Sequence, residues 1–188
     1  VDEHTIFTIS NLYSLKNGEF KNFAPLASKV ILEIISYKSL FVAMLLHDIA
    51  KGKKGDHSEN GALIASVVCP RLSLSIEETK NIEWLILHHL LMSKTAFRYE
   101  LGDKKVIKDF TEKVKSIERL KLLLVLTVAD IKGVGPEIWN DWKGSLITDL
   151  YLKSLDLLEK DESKVIRNLQ SPKELFETHL LEKRINKI

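Results

Sequence analysis

Residues 40–61, LFVAMLLHDIAKGKKGDHSENG, form the stretch that decides the fold of this chain. Its first part, residues 41–46, is apolar at every position, and a helix without a polar face is typical of the buried centre of a domain. We expect Ser39 to cap this helix and the helix to end near Lys51. A turn rich in glycine and lysine follows, so the stretch predicts a buried helix that delivers polar residues to a loop.

The polar residues at the end of this helix indicate a functional site. Asp48 follows the apolar run closely, and a buried charge without a partner is very costly. A helix C-terminus also disfavours a negative charge by about 0.3–1 kcal/mol, so a positive group must lie against Asp48. Lys51 is one candidate, but His47 beside the carboxylate and His57 after the turn indicate a metal ion.

The rest of the chain has helical periodicity and no strand-type alternation. Four predicted helices cover residues 2–16, 92–101, 117–130 and 136–158, and two others begin at Pro25 and at Asp103. Another helix begins at Asp56 or Ser58 and is stopped by Pro70. The next begins with a capping box of Ser75 and Glu78 and ends at His88-His89. We predict an all-α fold with one domain over residues 1–158 and a charged helical tail over residues 159–188.

Composition narrows the class of protein. The 188 residues can bury a sizeable core, and a net charge of +2 leaves no basic stripe for nucleic acid. No apolar stretch is long enough to span a membrane, and no signal peptide is visible. The single cysteine, Cys69, cannot form an internal disulfide, which is typical of a reducing compartment. We therefore expect a cytoplasmic protein that binds neither nucleic acid nor a membrane.

A second carboxylate repeats the problem that Asp48 poses. Asp130 ends another strongly apolar helix, and two carboxylates at the C-terminal ends of two core helices repel each other and both helix dipoles. A divalent cation held by histidine and aspartate removes these penalties together. This donor set suits Mn, Fe, Co, Ni or Zn, and the chain has no thiolate cluster to narrow the choice.

The order His4, His47-Asp48, Asp130 resembles the ligand pattern of the HD superfamily of metal-dependent phosphohydrolases. The resemblance implies an HD-domain helical bundle in which these four residues bind one divalent metal. Family members with two metal ions add a lysine in an HDxxK sequence, a histidine after the following turn and one or both histidines of a pair. The matching residues here are Lys51, His57, His88 and His89.

The flanking sequence is more specific. The segments HDIAKGKKGDHSENGA, HHLLMSKTAFR and LTVADIKGVGPEIWNDWK are similar to the HD domain of bifunctional uridylyltransferase/uridylyl-removing enzymes, over roughly residues 2–151. The resemblance implies an enzyme that removes UMP from a uridylylated tyrosine of the nitrogen-regulatory PII protein. It also implies a longer protein, with a nucleotidyltransferase domain before this one and paired ACT domains after it.

The resemblance assigns roles to individual residues. Metal ligation is expected at His4, His47, Asp48, His57, His88, His89 and Asp130, and catalytic roles at Asp48, Lys51, His57 and His88. Adjacent helical residues point about 100° apart, so one histidine of the pair should face the site, and we favour His88. Lys51 either binds a phosphate oxygen or pairs with a carboxylate. One or two divalent ions are expected, with Mg added to the metals named above.

Two other functions fit the same sequence. One is a general HD-family nucleotidase or cyclic-nucleotide phosphodiesterase, which shares the metal site but differs in substrate. The other is a helical partner-binding module without catalysis, in which His47 is a core histidine and Asp48 merely pairs with Lys51. Metal content separates this module from the two enzymes, and the turnover of different substrates separates the enzymes.

Overall fold

The computed structural model describes residues 2–135 and 138–169, and this part of the chain contains helices and turns but no strand. The all-α prediction is therefore confirmed. The helices in chain order are α1 Asp2–Lys16, α2 Pro25–Val30 followed by a 3₁₀ turn Ile31–Glu33, α3 Tyr37–Leu46, α4 His57–Arg71, α5 Ile76–His88, α6 Leu91–Arg98, α7 Lys104–Val114, α8 Ile117–Val134 and α9 Asp141–Leu169. No helix in the described ranges combines the length and apolar character needed to cross a membrane.

Helix α8 is the centre of the fold. Residues 122–129 are all buried, since this run of leucine, valine, alanine and threonine has no charged residue. Helix α8 contacts α1, α2, α3, α5, α6, α7 and α9. The C-terminal part of α8, which carries Asp130, is thereby fixed from several sides.

Helix α3 is not the fully buried helix that its sequence predicts. Leu45 is 49% exposed, because α3 packs on α1, α5 and α8 and leaves one side free. Its N-cap is Ser36 rather than Ser39, which lies buried inside the helix. The side chain of Glu118 supplies the capping contact, since its Oε1 accepts hydrogen bonds from the backbone N–H groups of Ile35 and Ser36, both at 3.0 Å.

Helix α3 also ends earlier than predicted, at Leu46 instead of near Lys51. The next residues form consecutive turns, in which Ile49 N–H donates to Leu46 O at 3.0 Å and Lys51 N–H donates to Asp48 O at 2.9 Å. His47 and Asp48 therefore lie in a turn just beyond the helix. There, the geometry of an α-helix does not fix the directions of their side chains.

The following two helices begin as the sequence predicts. Asp56 is the N-cap of α4, and its carboxylate accepts hydrogen bonds from the N–H groups of Ser58 and Glu59. Ser75 and Glu78 form the expected capping box at the start of α5. Helix α4 ends at Arg71, one residue past Pro70, because a proline so near a helix end removes only a single backbone hydrogen bond.

The C-terminal helices differ in their limits. Helix α8 continues past Asp130, where the sequence predicts its end, to Val134, and it includes Gly133. Helix α9 begins at Asp141 instead of near residue 136, and it runs without interruption across the predicted domain boundary at residue 158. Leu158 is buried, and residues 159–163 are exposed. The domain boundary stays a prediction, and residues 170–188 of the predicted tail lie outside the described residues.

Candidate metal centre

Residues far apart in the chain converge at one end of the α3–α8 contact. Helix α1 supplies His4 from its first turn, and the turn after α3 supplies two consecutive side chains. The start of α4, the C-terminal end of α5 and the last part of α8 complete the set. The converging residues are His4, His47, Asp48, His57, His89 and Asp130.

The first group of donor atoms consists of His4, His47 and Asp48, whose ligand atoms lie within 4.8 Å of one another. Asp130 lies against the same group, with its Oδ1 at 2.9 Å from Nε2 of His4 and 3.4 Å from Nε2 of His47. The structure therefore brings together the four residues that the family resemblance assigns to one metal site.

A second group shares Asp48 with the first. Asp48, His57 and His89 also have ligand atoms within 4.8 Å of one another. Oδ2 of Asp48 lies 3.7 Å from Nε2 of His47, whereas Oδ1 lies 3.9 Å from Nε2 of His57. Each carboxylate oxygen thus faces a different group of donor atoms.

Backbone carbonyl groups orient the buried imidazoles. Nδ1 of His47 lies 2.7 Å from the carbonyl oxygen of Met44, and Nδ1 of His89 lies 2.7 Å from that of Ile86. A carbonyl only accepts, so Nδ1 carries the hydrogen and the neutral ring presents an unprotonated Nε2. Metal-ligating histidines are oriented in this way, with the second nitrogen donating to the backbone.

Nε2 of His47 is a buried nitrogen without a hydrogen-bond partner. Oδ1 of Asp130 lies 3.4 Å from it, and in the neutral ring this nitrogen has no hydrogen to donate to a carboxylate. Leaving such a group unsatisfied costs about 1–3 kcal/mol. Nε2 of His47 is thus an electron-pair donor that faces two carboxylates and lacks a hydrogen-bond partner, as expected of a metal ligand.

The carboxylates are held in their charged form. Burial alone would raise the pKa of Asp130, but the hydrogen bond from Nε2 of His4 and the neighbouring imidazoles lower it well below its ordinary value. Burial opposes ionisation of Asp48 as well, and Lys51 outweighs it, so that the pKa of Asp48 is also lowered. Two ionised carboxylates among imidazoles form a site that attracts cations.

Lys51 pairs with a carboxylate, which is one of the two roles that the sequence left open. Its Nζ lies 2.7 Å from Oδ2 of Asp48, and its side chain is 58% exposed. The exposed side chain reaches the buried carboxylate of Asp48 from the solvent side. The ammonium group is therefore positioned at the solvent edge of the site.

One histidine of the pair His88-His89 faces the site and the other does not, as predicted. The preference for His88 as the inward-facing residue is wrong. His89 is 2% exposed, and its ring lies 5.5 Å from that of His47 and 5.3 Å from that of His57. His88 stacks on Trp84 at 4.8 Å with Nδ1 at 3.1 Å from the Trp84 carbonyl oxygen, and belongs to neither donor group. Adjacent helical residues diverge, and the Trp84 ring fixes His88 on the outer side.

Two cavities lie near α7, but the larger of them is not at the cluster of donor residues. His88 lines a cavity of about 380 Å³ together with Lys94 and Lys113. A larger cavity of about 850 Å³ lies between α7 and the C-terminal half of α9, and it contains none of the clustered residues. The convergence of donor atoms, rather than cavity size, therefore defines the candidate site.

Three residues that support the site were not identified from the sequence. Asn11 donates from Nδ2 to the carbonyl oxygen of Ala129 at 3.1 Å. Thr8 is fully buried, and Gly133 lies against both Thr8 and His4. The available signal was the spacing of His4, Thr8 and Asn11, which places them on one face of α1.

The all-helical fold and this histidine–aspartate cluster agree with the comparison to known families. The HD domain family model matches residues 2–131, which include every residue of the cluster, and the chain belongs to the HD domain family.

Curated relatives at about 50% identity are more specific. The chain is 51% identical over 158 residues to a bifunctional uridylyltransferase/uridylyl-removing enzyme of Azospirillum brasilense, covering 84% of this chain and 17% of that protein. Proteins with the same name are 52% identical in Novosphingobium aromaticivorans and 50% identical in Rhodospirillum rubrum, with the same coverage of 84% and 17%. The chain thus spans about 17% of the length of these curated relatives.

Proposed function

We propose that this chain is a metal-dependent phosphodiester hydrolase domain that removes UMP from a uridylylated tyrosine of PII. The observation that carries the hydrolase proposal is the pair of donor groups that share Asp48, with the partnerless Nε2 of His47 aimed into the first group. The uridylyl-removing activity follows from similarity to relatives that bear this name.

The two donor groups divide the proposed ligands. His4, His47, Asp48 and Asp130 would hold one divalent ion, and Asp48, His57 and His89 would hold a second. Imidazole and carboxylate donors suit Mn, Fe, Co, Ni and Zn, and the carboxylates also accept Mg. His88 is not proposed as a ligand, because its ring is directed onto Trp84.

The protein groups divide the catalytic work. A divalent ion held by these residues would supply Lewis acidity, which would lower the pKa of a water molecule and polarise a phosphoryl oxygen. A carboxylate oxygen of Asp48 or Asp130 orients the attacking water and accepts its proton. Lys51, on a long exposed side chain, turns from Asp48 to the phosphoryl oxygens and offsets the negative charge that grows there.

The substrate and cellular context are proposed from the relatives. Uridylylated PII is the proposed partner, and the cytoplasm is the proposed location. The full-length protein would carry a nucleotidyltransferase domain on one side and paired ACT domains on the other. The tail that begins at residue 159 would lead toward the ACT domains.

Turnover of three substrates tests this proposal. The purified chain with Mn²⁺ is offered uridylylated PII, free nucleotides and cyclic nucleotides, with Asp48→Ala as the inactive control. We expect release of UMP from uridylylated PII, poor turnover of the other two, and no activity in Asp48→Ala at unchanged helical content. Preferred hydrolysis of free or cyclic nucleotides would replace the proposed substrate by that of a general HD phosphohydrolase. A chain without stoichiometric metal would be a partner-binding module.

A further inference from the structure

Helices α1 and α8 meet along a seam, which we define as His4, Thr8 and Asn11 of α1 together with residues 129–133 of α8. The spacing of four and three residues places the three α1 side chains on one face. His4 bonds to Asp130 through Nε2 at 2.9 Å, and Asn11 donates to the Ala129 carbonyl at 3.1 Å. The seam therefore sets where the His4 imidazole stands relative to Asp130.

Gly133 occupies the closest point of this seam. A Cβ atom built on Gly133 would lie 2.5 Å from Cγ2 of Thr8 and 3.3 Å from Cε1 and Nδ1 of the His4 ring. A separation of 2.5 Å is far inside the ordinary contact distance between carbon atoms, which is about 3.5–4.0 Å. A side chain at residue 133 and the present separation of α1 and α8 are thus incompatible.

The methyl group of Thr8 cannot move aside easily. Thr8 is fully buried, and its Oγ1 donates to the carbonyl oxygen of Thr5 at 2.9 Å. Rotation about χ1 would break this bond, and a β-branched residue in a helix has few rotamers to choose from. The contact would be relieved by moving α1 away from α8, which carries His4 away from Asp130.

We propose that Gly133 is a positioning residue for the metal centre: its missing side chain sets the α1–α8 separation at which His4 reaches its ligand position. This inference rests on the proposed metal function. It opposes simple helix propensity, because glycine inside a helix is less stable than alanine by about 0.5–1 kcal/mol. Propensity alone predicts that Gly133→Ala is harmless or stabilising.

Mn²⁺ titration of the full chain by calorimetry, with the metal content after dialysis, tests the proposal. Gly133→Ala should lower Mn²⁺ affinity by about 10- to 100-fold, the range found when the support of a metal ligand is removed. Thr8→Ser removes only Cγ2 and keeps the hydroxyl bonded to Thr5. The double variant Gly133→Ala/Thr8→Ser should therefore recover affinity to within about threefold of the Thr8→Ser variant.

Gly102→Ala is the matched control, because a Cβ atom at Gly102 would lie 3.7 Å from its nearest neighbour, Oε1 of Glu100. Its Mn²⁺ affinity should equal that of the unmodified chain. A merely structural role for Gly133 would lower the melting temperature of Gly133→Ala but leave Mn²⁺ binding to the folded protein unchanged.

Distinct outcomes overturn the inference and the proposed function. Unchanged Mn²⁺ affinity in Gly133→Ala, or failure of Thr8→Ser to restore it, overturns the positioning role while the metal site stands. Absence of Mn²⁺ binding in the unmodified chain overturns the proposed function and the positioning role with it. Should Gly133→Ala not fold, the double variant decides: restored folding and Mn²⁺ binding support the inference, and their absence overturns it.

Discussion

The imidazoles of His47 and His89 are oriented by the same local device. Each donates from Nδ1 to the carbonyl oxygen of the residue three positions earlier, at 2.7 Å in both cases. Each residue is the C-cap of its helix, where carbonyl groups have fewer backbone donors than inside the helix. The end of a helix thereby satisfies one nitrogen of the ring and leaves the other for a cation.

Substitution of the adjacent histidines separates the metal ligand from its neighbour. His89→Ala removes one of the three donors of the second group, so we expect metal content to fall and hydrolysis to drop more than about tenfold. His88→Ala removes a ring that stacks on Trp84 and should keep both metal content and most of the activity. Metal analysis after dialysis, together with steady-state rates, measures both effects. A larger loss of metal and activity in His88→Ala than in His89→Ala would show that His88, and not His89, is the metal ligand.

Lys51 is expected to act on charge rather than on metal binding. Lys51→Ala leaves all the imidazole and carboxylate donors in place, so the metal content should be retained while kcat falls. Removing one donor that stabilises a developing oxyanion costs on the order of 10²–10³ in rate. Loss of metal in Lys51→Ala would show instead that its 2.7 Å contact with Asp48 is needed to build the site.

At the scale of helices, the apolar periodicity was sufficient to predict that the elements are helices and their order in the chain, but not the residues at which they end. Helix α3 ends at Leu46 because the following residues form turns, and no residue between Leu46 and Lys51 is a glycine or proline that would announce this end. Gly133 presents the opposite case. It lies inside α8, since the packing of α1 rather than local propensity decides the conformation there.

The capping box of α5 gives a prediction on pH. Hydrogen bonds from Ser75, chiefly from its backbone N–H group, hold the pKa of Glu78 below its ordinary value. A folded-state pKa below the unfolded value means that the contribution to stability is present above about pH 4.3. The contribution is lost as the pH falls through the folded pKa. The melting temperature of Glu78→Ala should therefore lie below that of the unmodified chain at pH 7, and the gap should narrow toward pH 3.5. A gap that is independent of pH would contradict this.

At the scale of the whole molecule, the site depends on contacts between distant parts of the chain. His4 and Asp130 are 126 residues apart and meet because α1 packs along α8. The identity of the clustered residues could be predicted from the resemblance of their ordered pattern to that of the HD superfamily. The choice between His88 and His89, and the supporting roles of Thr8, Asn11 and Gly133, could not, because they depend on how the helices are rotated against one another.

The central claim is that two groups of donor atoms, sharing Asp48, hold divalent ions. An anomalous-scattering map from crystals grown with Mn²⁺ tests it most directly. We expect one peak among His4, His47, Asp48 and Asp130, and at full occupancy a second among Asp48, His57 and His89. A map without a peak beside Nε2 of His47, in crystals that contain Mn²⁺ in the solvent, would contradict the account.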